Sequence, residues 1–231
     1  MPDFAFEKRC DGIVCGVDEA GRGPLAGPVV AAAVILDRRR IPRLLRECLD
    51  DSKKLNAEER EDYAAILRRS AVAIGIGAAS VGEIDRINIL RATLTAMCRA
   101  VAALGIAPAI ALVDGNVPPP LSCLVETVIG GDGLSLSIAA ASVIAKVTRD
   151  RLMRRLALRY GGYGWDHNAG YATEEHRAAI LALGCTPHHR RSFAPVQFAL
   201  DLVRPQDSLH HVGTENTEVR VSREAHLRLP P

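Results

Sequence analysis

Residues 12–36 read GIVCGVDEAGRGPLAGPVVAAAVIL. Two apolar runs, 12–18 and 28–36, are too short for core helices and read as strands buried inside a sheet. The segment between them, EAGRGPLAG, holds Gly21, Gly23, Gly27 and Pro24, so the chain turns tightly there. Asp18 and Glu19 stand where the first run ends. Carboxylates in such a position sit at the edge of a sheet, where α/β proteins collect their ligands.

Outward from this stretch, Asn56 with Glu59 and Ser80 with Glu83 have the spacing of capping boxes, each opening a helix. Residues 72–78 (VAIGIGA) read as a third strand. Ile87, Leu90, Leu94, Met97, Val101 and Leu104 recur at three and four, an amphipathic stripe that ends at Gly105 and serves the core. Residues 109–114 (AIALVD) form a fourth buried strand and 124–128 a fifth. The nine residues between the last two include three consecutive prolines, which is short for a helical crossover and leaves their connection open. Helices are expected over 137 to about 160, 173–183 and 195–203. The order of elements predicts an α/β fold with a mixed sheet. Residues 1–11 read as a short leader. From 205 onward apolar residues thin out, so 205–231 reads as a disordered tail outside a single catalytic domain, 1–204.

The chain has 231 residues, 48% of them hydrophobic and 24% charged, enough for one well-filled core. A net charge of +2 does not by itself announce a nucleic-acid binder, so that function needs local patches. Cys10, Cys15, Cys48, Cys98, Cys123 and Cys185 include no C-x-x-C pair, which argues against structural zinc. Cys98 reads as a small core residue. The opening MPDFAFEKRC lacks the apolar centre of a signal peptide, and no run could span a bilayer, so a cytoplasmic location is expected.

Asp114 ends the fourth strand, and Asp132 follows two glycines after the fifth. Several acids at one end of a sheet repel one another unless cations lie among them, and hard divalent cations prefer such oxygen donors. Two such ions could clamp the attacking and leaving oxygens of a phosphodiester. A single acid at a strand end is more often a cap or turn residue, and periodicity does not prove that Asp114 and Asp132 meet Asp18.

The wording of the segments goes further. VDEAGRGPLAGPVV, DSKKL, EIDRINIL, VDGN, SIAAASVIAKVTRDR and NAGYATEEH, in that order over about 12–198, closely resemble bacterial ribonuclease HII. The resemblance implies an RNase H-type fold: a five-stranded mixed sheet flanked by helices, with a helical C-terminal extension. It implies an endonuclease that hydrolyses the RNA strand of RNA–DNA hybrids and ribonucleotides embedded in duplex DNA, using Mn²⁺ or Mg²⁺ and leaving 5′-phosphate and 3′-hydroxyl ends. The family's metal-site carboxylates fall on Asp18, Glu19, Asp114 and Asp132. The turn of Gly21, Arg22 and Gly23 is then implied to hold the ribonucleotide 2′-hydroxyl, and Tyr171 to lie against a neighbouring sugar.

Lys146, Arg149, Arg151, Arg154, Arg155 and Arg159 crowd one helical stretch against Asp150, a local charge of +5 (six cations less one acid). That stretch is either a solvated face or a phosphate-binding one. Lys146 is the phosphate candidate within it, joined by Ser52 and Lys53 of the DSKK loop. Asp150 reads as a surface or helix-packing residue and His176 as a structural hydrogen-bonding residue. The segment HHRR at 188–191 is basic without a predicted orientation. Other classes remain to be weighed. A non-catalytic nucleic-acid-binding module would suffer from four carboxylates facing phosphate, and an RNase H-fold nuclease acting on DNA has no use for the 21–23 turn or Tyr171. The expected partner is a hybrid duplex or ribonucleotide-containing DNA, bound by a monomer. No protein partner is indicated.

Overall fold

Strands form where the unbroken β-branched and alanine runs lie. In the computed structural model, which describes residues 1–203, β1 (Val14–Ala20) and β2 (Val29–Ile35) pair antiparallel, with Asp18 opposite Ala32. β3 (Ala73–Ala79) extends this antiparallel edge. β4 (Ile110–Asp114) and β5 (Leu124–Val128) add to the other side of β1, both parallel to it, giving the order β3-β2-β1-β4-β5. The sheet is therefore five-stranded and mixed, as expected. The link between β4 and β5 has no helix, and the prolines carry the chain across in irregular backbone.

Helices cover both faces. α1 (Ala5–Lys8), α2 (Arg43–Cys48) and α3 (Ala57–Ser70) precede β3; α4 (Val81–Ala102) follows it. α5 (Leu136–Arg159), α6 (Trp165–Asn168), α7 (Glu174–Leu183) and α8 (Ala194–Val203) complete the order. Asn56 and Ser80 make the full capping boxes that their spacing predicted. α4 packs on one face with Cys15, Val17, Ala111 and Val113; α2, α3 and the first half of α5 pack on the other. α5 lies so close to β1 that a Cβ on Gly16 would stand 2.1 Å from the carbonyl carbon of Ser137. Only glycine permits that approach. By alternation, Gly16 and Asp18 then face α5, and Val17 and Glu19 face the opposite way.

Three expectations change. The stripe along α4 is interrupted at Asn88 (φ 67°, ψ 166°), whose side chain accepts the N–H of Arg91 and restarts the helix as a cap does. Met97 and Leu104 of the stripe are still buried, and Ile87, Leu94 and Val101 pack against the same core beside Ala92, Ala96 and Ala100, but Leu90 is left 40% exposed. Residues 1–11 are no loose leader: Phe4 and Glu7 are buried, and Glu7 accepts hydrogen bonds from the hydroxyl of Ser135 and the N–H of Ser137. Cys98 is half-buried, its thiol directed at the carbonyl of Pro120. The reading of 205–231 as a tail lies outside the described residues. Among the described residues no helix is long and apolar enough to cross a membrane.

Candidate active site

The parallel register of β1 and β4 places Val17 beside Val113, so Asp18 and Asp114, one residue on, leave the sheet side by side on the α5 face. After β5 a left-handed residue at Gly130 (φ 65°) turns the chain into a short 3₁₀ segment, Gly131–Gly133, that carries Asp132. Its first amide donates to Asp114 Oδ1 at 2.7 Å, locking this turn to the end of β4. One carboxylate oxygen each from Asp18, Asp114 and Asp132 then lies within 4.8 Å of the others. Glu19 does not join them. Strand alternation sends it to the other face, where its carboxylate meets Arg22 Nη1 at 3.3 Å.

Burial pushes the Asp18 carboxyl well above the usual carboxylate range, and the charges of Glu19 and Asp114 add to this against the Ser142 hydroxyl and the Glu19 amide. Burial also raises Asp114 and Glu19, with Arg22 opposing the rise at Glu19. Such a cluster is costly to ionise by itself. Lys53 relieves part of the repulsion, its ammonium standing 3.0 Å from Asp132 Oδ2. Burial opposes the Lys53 charge, but the hydrogen bond to Asp132 and the charges of Asp132, Asp51 and Asp18 raise its pKa. Three oxygen donors at this spacing, short of positive charge, fit a hard divalent cation.

The turn of Gly21, Arg22 and Gly23 follows immediately. Gly21 is at φ 96°, a conformation that side chains resist. A Cβ on Gly23 would lie 3.8 Å from Tyr171 Cε1, so this turn and Tyr171 form one surface beside the carboxylates. Tyr171 is 45% exposed, with the ammonium of Lys146 5.9 Å from its ring centroid. Lys146 is also paired with Asp150 at 2.8 Å. A cleft of about 330 Å³ runs past Lys146, Arg154, His167 and Tyr171.

The cations of the basic helix do not act alike. Arg151 and Arg154 pair with Glu61 of α3, an acid the local charge count overlooked. Arg149 is neither solvated nor free for phosphate: it is 1% exposed and donates to the carbonyls of Ala26, Pro28 and Ala169. Ser52 likewise turns inward. Its hydroxyl lies 2.8 Å from that of Ser142, the neighbour of Asp18, so it braces the acid cluster where a phosphate contact had been expected. Ser142 and Arg190 were missed. Ser142 sits within SIAAASVIAK, and Arg190 within the basic 188–191 cluster, but an inward hydroxyl or guanidinium has no signature in local sequence.

His176 is fully buried and structural. The N–H of Thr186 donates to His189 Nδ1 at 2.9 Å, which leaves the His189 proton on Nε2, 3.1 Å from His176 Nε2. Trp165 Nε1 donates to the same nitrogen at 3.0 Å, so His176 Nδ1 carries the proton that bonds the Tyr171 carbonyl at 2.8 Å. Burial and the neighbouring His176 hold His189 down at about 4, from an ordinary value of 6.5. A histidine buried neutral contributes stability that is fully present above its unfolded pKa and lost as pH falls toward the folded one. Between pH 6.5 and 4 this residue is expected to remove about 3 kcal/mol of stability. His189→Gln should flatten that part of a melting-against-pH curve. An unchanged slope would show that other groups carry the acid sensitivity.

The model for ribonuclease HII matches residues 15–198. The chain belongs to the ribonuclease HII family. A ribonuclease HII from Paramagnetospirillum magneticum is 63% identical over 196 residues, covering 85% of this chain and 97% of that protein. The ribonuclease H2 of Pyrococcus horikoshii superposes with a TM-score of 0.70 at 29% identity, covering 82% of this chain and 98% of the other. Bst-RNase HIII, solved in complex with Mn²⁺, shares the fold with a TM-score of 0.65 at 20% identity, covering 82% and 70% of the two chains. As a ribonuclease HII family member, this chain is an RNase H-type endonuclease that acts on RNA–DNA hybrids and depends on a divalent metal.

Proposed function

We propose that this enzyme cuts at single ribonucleotides within duplex DNA as well as in longer hybrids, leaving 5′-phosphate and 3′-hydroxyl ends. The observation that carries the reading is the meeting of Asp18, Asp114 and Asp132 beside a glycine turn that touches Tyr171. Asp18, Asp114 and Asp132 would hold Mg²⁺ or Mn²⁺. Glu19, whose carboxylate rests on Arg22 here, would complete the set only by leaving that contact and swinging round the end of β1 toward the bound ion. The bound ion supplies Lewis-acid stabilisation of charge developing on the phosphodiester oxygens.

The other groups act on the duplex. Arg22 is half-exposed and ties the turn to Glu19. Lys53, three-quarters exposed, has its ammonium between Asp132 and solvent, where a backbone phosphate would approach. Lys146 faces the ring of Tyr171, in reach of a phosphate one step from the junction. Ser52 acts indirectly, through Ser142. The reading takes the enzyme as a monomer with nucleic acid as its partner. The decisive assay is a duplex carrying one ribonucleotide, incubated with Mg²⁺ or Mn²⁺ beside an all-DNA control. Equal cutting of the control would refute selection by the sugar.

Tyr171 offers a second test. Its ring is exposed while its carbonyl is anchored by His176, so truncating the ring leaves the backbone in place. Tyr171→Ala is expected to keep its melting temperature and metal affinity and to lose about 10–100-fold in cleavage at a lone ribonucleotide. Parental rates on that substrate would remove Tyr171 from junction reading.

A further inference from the structure

Two arginines lie fully buried under the 21–28 loop. Arg149 and Arg190 are 1% and 0% exposed, and neither makes an ion pair among the described residues. Arg190 donates through Nε to the carbonyl of Gly27 at 2.9 Å, through Nη1 to that of Arg22 at 2.8 Å, and through Nη2 to that of Gly21 at 2.5 Å. Arg149 takes the carbonyls of Ala26, Pro28 and Ala169 at 2.9–3.0 Å. Five of these six acceptors belong to the loop. The sixth belongs to the segment leading into Tyr171, whose Gly170 carbonyl in turn accepts from the N–H of Leu25.

Burying two like charges side by side is expensive, and a core built for stability alone would do better with apolar side chains. The geometry shows what the arrangement achieves. In a trans peptide the C=O and the following N–H point in opposite directions. When Arg190 draws the carbonyls of Gly21 and Arg22 inward, the amides of Arg22 and Gly23 must point out. Both residues are exposed, and among the described residues neither amide has an acceptor. A guanidinium fits this task because its planar fork holds several carbonyls at once, which an ammonium cannot.

We propose that Arg190, supported by Arg149, is a positioning residue that orients two peptide planes so that the amides of Arg22 and Gly23 face the substrate as a pair of donors. The inference rests on the reading of this turn as the element that meets the sugar. Arg190 itself touches no substrate. It acts through the backbone of Gly21 and Arg22, and Arg149 ties that backbone to the Tyr171 segment. Burial, and then the charge of Arg149, lower Arg190 to about 9, so it remains a cation at neutral pH and the anchoring persists.

Two measurements test this. In the native chain, amide exchange followed by NMR is expected to show the Arg22 and Gly23 protons unprotected. In Asp18→Asn, which is expected to bind without cutting, a single-ribonucleotide duplex should protect both. Protection of these amides in the free protein would overturn the proposal without any change at Arg190. The second measurement uses Arg190→Lys, which keeps the charge and loses the fork. Exchange across 21–27 should quicken, and kcat on the single-ribonucleotide duplex should fall about 100-fold, while KM and Mn²⁺ affinity stay within about threefold of the parent. Unchanged exchange in the loop would overturn the anchoring. A loosened loop with parental kcat would instead refute the sugar-reading role of the turn. An equal loss of metal affinity and kcat would mean a merely structural cation, and would also overturn the proposal.

Discussion

Asp18→Asn is expected to lower kcat by at least about 1000-fold while the protein still binds hybrid duplex. The substitution keeps the shape of the side chain, and an amide oxygen can still accept the Glu19 N–H that Asp18 Oδ1 now receives at 2.7 Å. What it removes is one negative charge from a cluster with three carboxylate oxygens inside 4.8 Å. On the proposed reading duplex binding rests on Lys53, Lys146, Arg22 and the 21–23 turn, none of which changes, so affinity measured by fluorescence anisotropy should hold within a few-fold. Without metal the same variant should be the more stable one. Asp18 is 4% exposed, and burial and its acidic neighbours work against its charge, so a neutral amide relieves that unfavourable burial. Melting in chelator should therefore rise, and added Mn²⁺ should raise it further in the parent but little in the variant. A variant that turned over at the parental rate would remove Asp18 from the metal site. A variant that melted lower in chelator would show that its carboxylate is stabilised by groups other than a metal.

Gly21→Val should do more damage than Tyr171→Ala, for a reason independent of the substrate. At φ 96° a β-branched residue carries roughly 1–3 kcal/mol of backbone strain. Its Cβ would also stand 1.9 Å from Arg149 Nε and 2.4 Å from Cδ, inside the most constrained part of the loop. Arg149 has no room to retreat, since its three donors hold Ala26, Pro28 and Ala169. The turn must move instead, and the acids that precede it move with it. Loss of more than about 100-fold is expected on both the single-ribonucleotide and the all-RNA hybrid duplex, whereas Tyr171→Ala should spare the long hybrid more. Kinetics on the two duplexes, with melting recorded alongside, separate the cases. Near-parental activity in Gly21→Val would mean that the loop does not approach the scissile bond as closely as its place beside Asp18 implies.

Much of this arrangement is local and was legible in the chain. The two runs flanking EAGRGPLAG, the capping boxes at Asn56 and Ser80, and acids at the ends of β1 and β4 each depend on a few consecutive residues. Alternation along β1 separates Asp18 from Glu19, although the family resemblance had placed both among the metal-site carboxylates. Which face gathers the three aspartates is a different matter. It depends on β4 lying parallel beside β1, and on a turn more than a hundred residues away returning Asp132 to the same end. Pairing of distant strands follows from how the whole core fills, and no window of sequence contains it. The arginines show the limit most clearly. Arg149 and Arg190 look in sequence like members of two basic patches, alike with Arg154 and Arg191, since a guanidinium has the same composition wherever it points. Only the packed structure decides that these two are drawn inside, because only there do the buried carbonyls of the glycine loop lie together and require donors.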